Sequence, residues 1–166
     1  MSTLEGKTMA LRILRFLSLS VSMFVFGTLA FAGEQHLLLG TWSVDVSRLK
    51  VPEPPRSVTI TLAKADAGAY RMTVDIVNSD GTKSHGESKF MPDGTAAQAD
   101  GSADVDVVSM TMPSERILVM GAGFRGNPSS TRVWSLSDDG KHMIETVIRH
   151  AADGTPYTIT NTWNRK

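Results

Sequence analysis

The sequence predicts an all-β fold, an antiparallel up-and-down β-barrel of about 8–10 strands, placed after an N-terminal signal peptide. Three observations predict it. Asp-Gly pairs recur along the chain, at Asp80-Gly81, Asp93-Gly94, Asp100-Gly101, Asp139-Gly140 and Asp153-Gly154. Asp tolerates the left-handed region and Gly occupies it freely, so such pairs suit tight hairpin turns. Between the pairs lie short runs in which apolar and polar residues alternate. Beyond the leader, no window of helical length keeps apolar residues on one helical face without a Gly or Pro interruption.

The leader comes first. Arg12 and Arg15 precede an uncharged run from Phe16 to Phe31 that is rich in Leu, Val and Phe. Ala30-Phe31-Ala32 ends it with the small-x-small pattern of signal peptidase sites. Residues 1–32 therefore read as a signal peptide whose tidy form starts at Met9, leaving 33–166 as a single β-barrel domain. The competing reading is a retained membrane anchor, since the run approaches the ~20 residues that span a bilayer. The Ala-x-Ala ending and Ser18, Ser20 and Ser22 favour cleavage, so no stable membrane span is expected in the mature chain. The expected location is periplasmic or secreted.

The strands follow in order. Gly40 to Ser47 opens the fold. Pro52, Pro54 and Pro55 make an extended link to 57–62, where Val58, Ile60 and Leu62 share a face. In 70–76 the shared face holds Tyr70, Met72, Val74 and Ile76. Further strands are expected at 82–91, 105–112, 115–123, 130–137, 141–150 and 156–164. Asn127-Pro128-Ser129 reads as a turn, and its proline disqualifies it as a glycosylation acceptor. Tyr70 to Phe90 laid over Met143 to Trp163 superimposes Asp80-Gly81-Thr82 on Asp153-Gly154-Thr155, a repeated hairpin design. Nearly every link is a hairpin link, which favours a barrel over a Greek-key sandwich. Closure also removes the exposed strand edges.

Composition limits the function. The chain has 17 basic and 17 acidic residues, and the leader takes three basic (Lys7, Arg12, Arg15) and one acidic (Glu5). The mature part keeps 14 basic and 16 acidic side chains, so it has no cationic excess to attract nucleic acid. There is no cysteine, which excludes disulfides, thiolate metal sites, a cysteine nucleophile and a lipid-anchored N-terminus.

Several motifs carry less than they suggest. Gly121 to Gly126 fits G-x-G-x-x-G, but Asn-Pro-Ser-Ser and a strand follow instead of the helix that would receive a pyrophosphate. A bulge or rim loop is expected there. The histidines are His36, His85, His142 and His150. His142 and His150 lie eight residues apart, about 26 Å along a strand, too far to share one ion. No metal and no cofactor is implied. No Gly-x-Ser-x-Gly elbow occurs. Glu87 and Glu145 would serve as an acid–base pair only if both faced one lumen.

Gly40-Thr41-Trp42, the Pro-rich basic segment Arg48 to Arg56 and the Asp-Gly hairpins reaching to Trp163 carry a resemblance. A Gly-x-Trp opening the first strand of a small all-β chain resembles the lipocalin and fatty-acid-binding barrels. More closely, the chain resembles secreted bacterial lipocalin-like (calycin-type) β-barrel proteins. The lipocalin Thr-Asp-Tyr motif has no counterpart. The resemblance implies that Trp42 plugs the closed end of the barrel, that Gly40 lets the chain approach closely, and that Arg165 packs across the indole.

The methionines point to the interior. Met fills irregular apolar volume and adapts to varied partners. The interior is either filled by these side chains or leaves a cavity lined by Met72, Val74, Ile76, Met110, Met112, Met120 and Trp134. If Glu145 and Arg149 point inward, they give that cavity a polar anchor. The leading expectation is an exported, non-enzymatic barrel that binds a small hydrophobic or amphipathic ligand inside. The alternatives are a filled barrel acting through its surface in the cell envelope, and an acid–base enzyme.

Overall fold

The computed structural model describes residues 37–166. The leader and His36 lie outside the described residues. The described chain forms a closed barrel of ten antiparallel strands, each bonded to the next in sequence. They are β1 (Gly40–Val44), β2 (Ser57–Lys64), β3 (Tyr70–Val77), β4 (Lys83–Phe90), β5 (Asp93–Asp100), β6 (Val107–Ser114), β7 (Ile117–Phe124), β8 (Asn127–Leu136), β9 (His142–His150) and β10 (Pro156–Arg165). β10 closes on β1 through Trp42↔Arg165, Ser43↔Asn164 and Val44↔Trp163. The predicted up-and-down barrel is the observed architecture, compatible with a lipocalin-like fold.

Three local readings change. The stretch between Asp93-Gly94 and Asp100-Gly101 is a strand, β5, which the alternation did not reveal. Apart from Thr95, its residues have little intrinsic preference for a strand. Ladder bonds to β4 and β6 impose the conformation, and Ala97 and Ala99 pack on the core. Asn127-Pro128 lies within β8 rather than in a turn. The turn is Arg125-Gly126, with φ of 50° and 78°, the positive pair that two-residue hairpins require. Pro128 has no N–H to donate, and it sits where the β7–β8 register slips between Ala122 and Gly123. The G-x-G-x-x-G stretch is thus the end of one strand, a bulge and a hairpin turn. Finally, β1 stops at Val44, because Asp45 caps a short 3₁₀ turn over Val46–Arg48.

Alternation decides which side chains face inward. Along β3, Tyr70 and Met72 are buried while Arg71 and Asp75 are exposed. Along β9, Met143, Glu145 and Val147 are buried, and Ile144 is left outside. One end of the barrel is densely filled. Leu38, Trp42, Leu62, Leu118, Trp134 and Met143 meet there and leave only about 10 Å³ between them. Tyr70 and Phe90 stack nearby with ring centroids 6.0 Å apart.

Arg165 caps that filled end. Its guanidinium carbon lies 4.1 Å from the centre of the Trp42 ring. Its Nε donates to the Gly140 carbonyl (2.8 Å), its Nη1 to the Leu39 carbonyl (2.8 Å), and its Nη2 to the Leu37 carbonyl. The Trp42 indole donates to the Leu38 carbonyl at 2.9 Å, so the buried ring leaves no donor unsatisfied. Gly40 has φ of 127°, and a Cβ there would lie 2.8 Å from Arg165 Nη1. Glycine is needed at this position both for its backbone angle and for the space the guanidinium takes.

Candidate functional site

The opposite half of the barrel is not filled. A cavity of about 420 Å³ lies there, within the range of pockets that hold small molecules. Leu49 and the 100–105 segment border it, which places it toward the end away from Trp42. Met72, Val74 and Ile76 of β3, Met110 of β6, Met120 of β7 and Trp134 of β8 supply its apolar wall. Met72, Val74 and Ile76 reach it because they alternate along one strand. Met110 and Met120 stand directly opposite each other in the β6–β7 ladder. Met112 is inward and packs against the core, but it is not on the cavity wall.

A polar cluster stands on this wall. The Glu145 carboxylate is wholly buried, with no exposed surface. Arg132 Nη1 donates to its Oε1 at 3.0 Å. Asn161 Nδ2 and Trp163 Nε1 donate to its Oε2 at 2.8 and 3.1 Å. Burying an ion costs several kcal/mol, and only close opposite charge with full hydrogen bonding offsets that. Glu145 has both. The ladder brings the group together: Glu145 lies opposite Trp134 on β8 and opposite Asn161 on β10. Arg132 is on the same face as Trp134, two residues before it.

Glu145 thus points inward, but its partner is Arg132 rather than Arg149. Arg149 is on the same face of β9, nearer the mouth, with Nη2 3.9 Å from Asp104 Oδ2. It does not line the cavity, and its buried Nε has no acceptor. The Trp134 indole N–H is likewise buried without an acceptor.

Arg132, Asn161 and Trp163 were not singled out as site residues from the sequence. The signal was present for Arg132: its spacing from Trp134 puts a guanidinium on an apolar face. Asn161 and Trp163 carry the same spacing on β10. What the sequence does not supply is the register that brings both strands to Glu145.

Glu87 and Glu145 do not form a pair. The Glu87 carboxylate lies 3.4 Å from Arg71 Nε at the cavity rim, and more than a third of its side chain is exposed. His85 bonds Asp75 at 2.7 Å, and His142 bonds Asn164 at 2.9 Å. Among the described residues no group of three metal-ligating side chains converges. No helix among them is long and apolar enough to cross a membrane. No known family model matches the chain, and no curated protein matches it.

Proposed function

We propose that the chain is an exported, non-enzymatic barrel of the lipocalin-like type that binds a small apolar or amphipathic molecule in its interior. The cavity of about 420 Å³ beside the Arg132–Glu145 cluster carries this reading. Its wall supplies apolar contact, and a few fixed polar groups supply orientation, the usual composition of a ligand pocket. Three methionines on the wall suit an occupant whose shape varies. A barrel acting through its surface alone would have no use for unfilled space in one half while the other half is packed to about 10 Å³. The absence of catalysis is favoured because both oxygens of Glu145, the one fully buried carboxylate among the described residues, are held by donors. Export rests on the leader sequence, which supports a location in the periplasm or outside the cell.

Native mass spectrometry of the protein purified from its own envelope, followed by solvent extraction, tests the reading. A bound small molecule released by the solvent is expected. A protein that carries nothing and takes up no neutral apolar dye overturns it.

A further inference from the structure

We infer that the ligand of this cavity is an uncharged amphiphile, bound through a neutral oxygen such as an ester, ketone or alcohol, and that carboxylates are selected against. The inference rests on reading the cavity as a ligand site. Its basis is the charge balance of the wall. Among the described residues Arg132 is the only guanidinium on the wall, and its charge is already matched by Glu145 at 3.0 Å. A carboxylate ligand placed on Arg132 would sit beside a second carboxylate in a water-poor space, where like charges repel strongly. The other ionisable residues bordering the cavity supply no free cation for an anion: Glu87 is bonded to Arg71, Asp104 lies near Arg149, Asp100 accepts from Gln98, and the His85 ring is engaged by Asp75.

Beside that pair the wall keeps a free donor. Arg132 is 24% exposed, and its Nη2 has no bond among the described residues. A donor whose charge is already matched fits an acceptor that carries no charge. A cationic head would meet this guanidinium unfavourably. A bare hydrocarbon would leave its Nη2 unsatisfied.

Calorimetric titration of the full mature chain with methyl decanoate, decanol and decanoic acid near pH 8 tests this. The ester and the alcohol are expected to bind at least about tenfold more tightly than the acid anion. Equal or tighter binding of the acid overturns the inference while leaving the cavity a ligand site. Failure of all three probes to bind overturns the inference together with the proposed function. Glu145→Gln removes the charge that balances Arg132 and is expected to reverse the order in favour of the acid. A folded Glu145→Gln protein that still prefers the ester would also overturn it. The ranking in the unaltered protein decides the matter if that variant does not fold.

Discussion

Arg165 shows how one residue near the chain end holds one end of the barrel. Its planar fork donates to three carbonyls and covers the Trp42 ring. Arg165→Met removes those bonds and is expected to cost about 2–3 kcal/mol in urea unfolding. Arg165→Lys is expected to recover less than half, because an ammonium cannot reproduce the fork. Gly40→Ala forces a Cβ toward the same guanidinium at a positive φ, and a loss of about 1–3 kcal/mol is expected. The Trp42–Arg165 pairing was legible from the Gly-Thr-Trp opening and the resemblance it carries. The Glu145 cluster was only half legible, since the carboxylate stood out but its partners depended on register. Its energetics give a second test at this scale. Arg132→Met strands a buried carboxylate and is expected to cost about 3–5 kcal/mol in denaturant unfolding. Adding Glu145→Leu to that variant is expected to restore part of the loss, because the stranded charge is gone.

At the scale of elements, the turns share one chemistry. Asp80 accepts from the Thr82 hydroxyl and backbone N–H, and Asp153 from the Thr155 N–H. Asp93 accepts from the Thr95 N–H, and Asp139 from the Ser137 hydroxyl and the Lys141 N–H. These bonds favour the ionised form and hold all four carboxyls below their ordinary value of 3.8. A folded pKa below the unfolded one stabilises the protein above the unfolded value, and that stability is lost as pH falls through the folded one. Thermal unfolding between pH 5 and pH 2 is therefore expected to show a falling midpoint as pH drops below about 4. Asn at positions 80 and 153 keeps an acceptor but does not titrate, so the double variant is expected to show a shallower fall. An unchanged slope would remove these turns from the account. Most strands were legible because alternation and Asp-Gly turns are local signals. β5 was not, because small residues carry no alternation and its strand state comes from its neighbours. The turn at Arg125-Gly126 was misplaced to Asn127-Pro128 because proline is a strong turn signal in sequence, whereas here it occupies a bulge.

For the whole molecule, closure of ten strands creates an interior whose two halves differ. Large rings fill one half: Trp42, Tyr70 and Phe90 are all buried. In the other half the inward positions of β4 and β5 are Ser84, Gly86, Ser88 and Ala99, which border the cavity and are too small to fill it. Alternation could nominate the inward face of each strand. Whether the facing side chains meet or leave space depends on how strands of different length converge, which no single strand encodes. Val74→Trp is expected to fill the cavity and weaken methyl decanoate binding by more than about tenfold, with urea stability changed by less than the loss of a plug residue. The most direct test of an occupied cavity is methyl NMR of protein labelled at methionine, titrated with methyl decanoate. Met72, Met110 and Met120 line the cavity, while Met91, Met112 and Met143 do not. The signals of the first three are expected to shift in a saturable way while the others stay nearly still. No saturable shift, or one confined to exposed Met91, would contradict a ligand inside the barrel.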